Sequence, residues 1–230
     1  MIKDNLETVK NNIRKACEAA GRDESGVCLI AVSKTKPVEM IEEAYAEGIR
    51  DFGENKVQEL TDKYERLPSD IRWHLIGHLQ TNKVKYVVGK AYMIHSVDSL
   101  KLAEAISKEA IKKDVIVKVL IEVNVGQEES KFGVSVSDTE RLVRDIAALP
   151  GIKIMGLMTV APYVAVPEEN SAVFHKLRQL SIDIGRKNID NVLMDILSMG
   201  MSNDYETAIR EGATHVRIGT SVFGERDYSV

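Results

Sequence analysis

A chain of 230 residues can build one large α/β domain or two small ones, and 44% hydrophobic with 29% charged residues excludes a disordered or fibrous class. A formal net charge of -4 with no basic run argues against a dedicated nucleic-acid binder. Cys17 and Cys28 lack the spacing of a metal knuckle or redox pair, and there is neither a secretory leader nor a run of about 18 apolar residues, so a reducing, cytoplasmic setting without a membrane partner is expected.

The opening segment repeats Leu6, Val9, Ile13 and Ala16 to Ala20 at helical spacing. Beyond it, strand-length apolar runs alternate with longer amphipathic segments. Strands are expected over 27–32, 49–52, 71–76, 92–97, 115–123, 152–158, 191–198 and 214–219. Helices are expected over 38–47, 55–66, 81–88, 99–112, 137–148, 168–187 and 203–211, with a short last one near 220. Asn55, Ser137 and Ser202 stand where N-caps stand. Eight such units in this length predict a single-domain (β/α)8 TIM barrel over residues 1–230 with an extra N-terminal helix. A doubly wound open sheet is the alternative. No linker divides the chain, and 126–133 and 160–170 read as long loops after the fifth and sixth strands.

Barrel sites lie at the C-terminal strand ends, and the unusual residues gather there. The first strand runs into Ser33-Lys34-Thr35-Lys36, the second into Phe52-Gly53-Glu54-Asn55, the third into Gly77-His78 and the fourth into His95-Ser96. The seventh runs into Ser198-Met199-Gly200-Met201-Ser202 and the eighth into Gly219-Thr220-Ser221. Taken singly, each has a plain structural reading: tight turns for Gly53, Gly77 and Gly200, a cap for Asn55, packing for Trp73, and a structural role for His78 and for His74, a strand residue free to point to either side. Together, the hydroxyls and helix starts of the last two loops point to a phosphorylated ligand, against the simpler reading of two ordinary capped helices. Arg217 shares a face with Gly219, so it points into the barrel and pairs with a carboxylate such as Asp195 or Glu122, or meets the ligand.

By strand alternation Cys28, Ile30, Val32 and Lys34 share one face, and Leu29, Ala31 and Ser33 the other. Lys34 is therefore the pocket candidate. Lys36, just before Pro37 at the next helix start, is a supporting charge, solvated or facing phosphate. A desolvated lysine beside other cations can form a Schiff base, and an aldehyde that also carries phosphate suggests pyridoxal phosphate. A barrel whose lysine acts only electrostatically on phosphate remains the competing reading. Lys131 in EESKFG is either a solvated loop charge or a secondary cofactor contact.

AVSKTKP, FGENKVQE, WHLIGHLQTNK, GLMTVAP, LSMGMSNDYETAI and VRIGTSVFGER, in this order over nearly the whole chain, resemble the signatures of the pyridoxal phosphate homeostasis proteins of the YggS/PROSC type. The resemblance implies a barrel similar to the N-terminal domain of alanine racemase and a role in buffering or supplying pyridoxal 5'-phosphate. It implies that Lys34 is the Schiff-base lysine, that Asn55 lies near the cofactor ring oxygen, and that Arg217 faces the pyridine nitrogen. Ser198, Ser202, Gly219 and Thr220 match the phosphate cradle. It further implies a carrier with no established main-line reaction, monomeric, with apo pyridoxal-phosphate enzymes as transient partners. A racemase-like amino-acid enzyme is the alternative. With 11 residues after Gly219 and Tyr228 in the tail, the added β-domain and opposite-face tyrosine of a two-base racemase are not expected.

Overall fold

The computed structural model describes residues 1–128 and 132–225. Its order is α1 (Ile2–Ala19), β1 (Cys28–Val32), α2 (Val38–Ala46), β2 (Asp51–Glu54), α3 (Val57–Arg66), β3 (Arg72–Leu75), α4 (Val84–Val87), β4 (Met93–Val97) and α5 (Leu100–Lys112). It continues with β5 (Val117–Glu122), α6 (Thr139–Ala147), β6 (Ile152–Met158), α7 (Ser171–Gly185), β7 (Val192–Met201), α8 (Tyr205–Arg210), β8 (His215–Ile218) and α9 (Thr220–Phe223). The strands close in sequence order into one parallel barrel, β8 pairing back onto β1. The open sheet is thereby excluded.

Alternation of side chains across each strand divides the core in two. Outward residues such as Phe52, Trp73, Ile94, Val119, Leu157 and Val216 pack against the helices, while Met93, Leu120 and Met158 pack inside with Met155, Val160 and Ile196. Because α8 and α9 are short, one flank of the barrel would lie open. The extra helix α1 covers it with Leu6, Val9 and Ile13, each worth on the order of 1.5–3 kcal/mol when fully buried. Asn5 Nδ2 donates to Val222 O at 3.0 Å and Asn12 Nδ2 to the Tyr205 hydroxyl at 3.1 Å, which pins α1 to α9 and α8.

Several boundaries move. β2 starts two residues later than expected and takes in Gly53 and Glu54, and β7 runs on through Gly200 to Met201. The first turn of the expected 168–187 helix is instead a 3-10 turn over Pro167–Asn170. None of the three expected caps holds: α3, α6 and α8 follow Lys56, Asp138 and Asp204, without a side-chain cap bond. Each helix starts two or three residues past the polar residue that signalled it.

Candidate functional site

The loop after β1 separates its two lysines. Val32 pairs with Gly53, where an added Cβ would meet Ile30 and Val32 side chains, so these residues line the interior; half-buried Lys34 follows two residues past the strand end. Ser33 turns outward, fully buried, and its hydroxyl donates to Glu54 Oε1 at 2.6 Å. Lys63 Nζ donates to the same oxygen at 2.8 Å and to Ser33 O at 2.8 Å. Burial outweighs Lys63 and raises the Glu54 carboxyl to about 7. Thr35 has φ of 63°, costly for a β-branched residue, and its N–H donates to Glu59 Oε2 at 2.7 Å. That left-handed step sends Lys36 the other way. Its Nζ donates to the carbonyls of Phe223, Gly224 and Glu225 at 3.2, 3.2 and 2.8 Å, so it is neither solvated nor facing phosphate but caps the end of α9.

Arg217 is inward, as alternation requires: it pairs in register with Ile30 and is 4% exposed. Nη1 donates to Ser198 Oγ at 2.7 Å and Nη2 to Thr159 O at 2.9 Å. Neither expected carboxylate forms an ion pair with it. Asp195 is exposed on the first half of β7, and among the described residues no carboxylate lies within ion-pair distance. Burial pushes the guanidinium down to about 10, opposed by the charges of Glu122 and Asp204. Glu122 is itself raised to about 7 by burial and by Asp98, with Arg217 opposing. A buried cation held only by a hydroxyl and a carbonyl is an incomplete electrostatic site.

The four residues matched to the phosphate cradle divide into two places. Ser202 Oγ accepts from Gly219 N at 3.2 Å and from Ser221 N at 3.4 Å, beside Thr220 at the start of α9. Ser198 is fully buried between Arg217 and His95, inside the barrel. Gly200 separates them: its φ is +91°, and a Cβ there would come within 2.5 Å of Ala208 Cβ. Asp204, at the head of α8, is spent on the loop, accepting from Met201 N at 2.7 Å and Asn170 Nδ2 at 2.8 Å.

Asn55 follows β2 directly and is pressed by Gly77, whose Cβ would stand 2.5 Å from Asn55 O. Asn55 and His78 border a groove of about 680 Å³ that extends along α3 and α4. His78 stacks on Phe132 at 4.0 Å between centroids, and Trp73 packs on Phe52 at 5.8 Å. Lys131, Arg226 and Tyr228 lie outside the described residues. What sequence reasoning missed is polar and internal: Asp51, His74, His95 and His215 gather inside the barrel. His74 faces inward, opposite to Trp73, as alternation along β3 requires.

The family model for the alanine racemase N-terminal domain matches residues 5–227. A pyridoxal phosphate homeostasis protein of Aquifex aeolicus is 50% identical over 226 residues, covering 98% of each chain. One from Escherichia coli K12 is 37% identical over 232 residues, covering 99% of this chain and 98% of that one. PipY of Synechococcus elongatus PCC7942, solved with PLP bound, superposes with a TM-score of 0.84 at 34% identity, covering 97% of this chain and all of that one. Alanine racemase from Corynebacterium glutamicum shares the fold at 16% identity, with a TM-score of 0.71 over 98% of this chain and 63% of that one.

Proposed function

This chain belongs to the pyridoxal phosphate homeostasis protein family, and we propose that it holds pyridoxal 5'-phosphate at the barrel mouth and buffers or supplies that cofactor as a single domain over residues 1–230. The observation that carries this reading is buried, inward-facing Arg217 on β8, in register with Ile30 of the strand that leads to Lys34 and without a carboxylate ion-pair partner among the described residues. The residues fit the group chemically. A primary amine suits an aldehyde, the Gly219 and Ser221 N–H groups that converge on Ser202 Oγ suit a phosphate oxygen that displaces it, with the Thr220 hydroxyl beside them, and Arg217 suits a ring nitrogen. When bound, the cofactor supplies a reactive aldehyde on an electron-withdrawing ring.

Lys34 would hold the cofactor through its primary amine, the group with which an aldehyde condenses with loss of water. Arg217 stays charged and so disfavours a proton on the ring nitrogen, which makes the site a weaker electron sink than one with a carboxylate there. That suits holding and handing on the cofactor. Asn55 is assigned to the ring oxygen. Ser198 serves the cradle through Arg217 and the strand leading to Ser202, since its own hydroxyl is engaged inside the barrel. A cytoplasmic monomer that meets apo enzymes transiently completes the reading; among the described residues no helix is long and apolar enough to cross a membrane.

Cofactor addition, borohydride reduction and peptide mapping test it. A pyridoxyl group on the Lys34 peptide, absent in Lys34→Ala, is expected. No visible absorbance and no adduct overturn the reading, and an adduct on another lysine overturns the assignment of Lys34.

A further inference from the structure

We infer that Asp51, His74, His95 and Ser198 form a one-way file of hydrogen bonds that positions Arg217 at the barrel mouth, an inference that rests on Arg217 being a cofactor contact. Asp51 Oδ1 lies 3.0 Å from His74 Nε2, and His74 Nδ1 lies 2.9 Å from His95 Nε2. His95 Nδ1 lies 3.0 Å from Ser198 Oγ, which accepts from Arg217 Nη1 at 2.7 Å. The links come from five different strands, β2, β3, β4, β7 and β8.

The chemistry of the two ends sets the direction. A guanidinium only donates and a carboxylate only accepts. With both rings neutral the carboxylate end fixes the rest, so that Ser198, whose oxygen accepts from Arg217, sends its own hydrogen to His95 Nδ1. His95 must carry its hydrogen on Nε2 and give it to His74 Nδ1. His74 in turn carries its hydrogen on Nε2 and gives it to Asp51. The file thus requires both rings neutral, each in one tautomer. Burial lowers the pKa of both rings, aided at His95 by His74, His215 and Arg217, and at His74 opposed by Asp51. Asp51 is anchored in turn, accepting from Arg72 Nε at 2.8 Å and from Arg72 Nη2.

Inward positions of such barrels are normally filled by branched apolar side chains. A polar file here sacrifices that packing, and it is tolerated because every link is satisfied. It ends on a cation whose other hydrogen bond, to Thr159 O, fixes the plane of the guanidinium. The members of the file are thus positioning residues that hold Arg217 without touching the ligand. His215 provides an internal comparison. Its ring lies 6.2 Å from that of His74 and 6.4 Å from that of His95, but its Nδ1 bonds to Thr214 Oγ1 and stands outside the file.

Nitrogen-15 NMR of histidine-labelled, cofactor-free protein tests the direction. His74 and His95 are expected as neutral Nε2–H tautomers at neutral pH; an Nδ1–H tautomer or a protonated ring at either position overturns the file. This arm needs no cofactor, so it decides the inference even if Lys34 traps nothing. In the second arm pyridoxal phosphate is titrated by absorbance. His95→Leu is expected to raise Kd about tenfold, the net worth of a neutral hydrogen bond that orients Ser198 beneath Arg217. His95→Gln, which can still accept from Ser198 and donate to His74, restores most of it, and His215→Leu stays near wild type. Equal affinities for His95→Leu and His215→Leu overturn the positioning role. Borohydride trapping on Lys34 in each variant reports the cofactor site separately. Should His95→Leu fail to fold, His95→Gln and the tautomer spectra give the answer.

Discussion

Replacing Glu54 by Gln is expected to flatten the fall of stability with rising pH. Glu54 is fully buried behind the Lys34 loop, its Oε1 shared by Ser33 and Lys63 and its Oε2 without a hydrogen-bond partner among the described residues. The folded carboxyl binds its proton more tightly than the unfolded one, at about 7 against 4.5. The stability it contributes is therefore complete below the unfolded value and is lost as pH rises through about 7. At ~1.4 kcal/mol per unit the full loss is about 3 kcal/mol. Glu122, also raised to about 7, remains in the variant and keeps part of the slope. The buried His74, His95 and His215, all lowered, act in the opposite sense as pH falls below 6.5 and do so equally in both proteins. Urea unfolding followed by circular dichroism between about pH 5 and about pH 8.5 isolates the difference. The gap between variant and wild type should change by up to about 3 kcal/mol across that range. Parallel curves would refute the reasoning and show that Lys63 keeps Glu54 ionised throughout.

Thr35→Asn should raise stability by about 0.5–1 kcal/mol, because asparagine tolerates the left-handed conformation that a β-branched residue resists; a lower midpoint in urea would count against strain at this turn. Lys36→Met should cost about 1–2 kcal/mol by leaving the end of α9 uncapped. Since the same helix begins at Thr220 beside Gly219, the variant should also bind pyridoxal phosphate more weakly in an absorbance titration.

The barrel was legible because its signals are local. Apolar runs alternating with helical periods give strand and helix count, and a period of two within a strand assigns faces. Arg217 could be placed inward from its spacing to Gly219, and the same rule applied to residues 28–34 singles out Lys34 over Ser33 as the pocket candidate. The helix caps were misjudged for a local reason too: a polar residue marks a helix start only to within a residue or two.

Other features depend on residues that the chain keeps far apart. Lys36 meets the carbonyls at the end of α9, 187 to 189 positions away, so nothing in KTKP could reveal its partner. His95 meets Ser198 across 103 positions. Alternation says that both point inward, but which inward side chains touch is set by strand tilt and by the register shifts in β4 and β7, properties of the closed sheet. Ser198 and Ser202 look like one motif in SMGMS; the turn at Gly200 against Ala208 sends them to different places. Local patterning thus determined the fold and singled out Lys34 as the candidate lysine, while closure of the barrel decided which buried polar groups meet, because desolvated donors and acceptors must find partners wherever the register brings them.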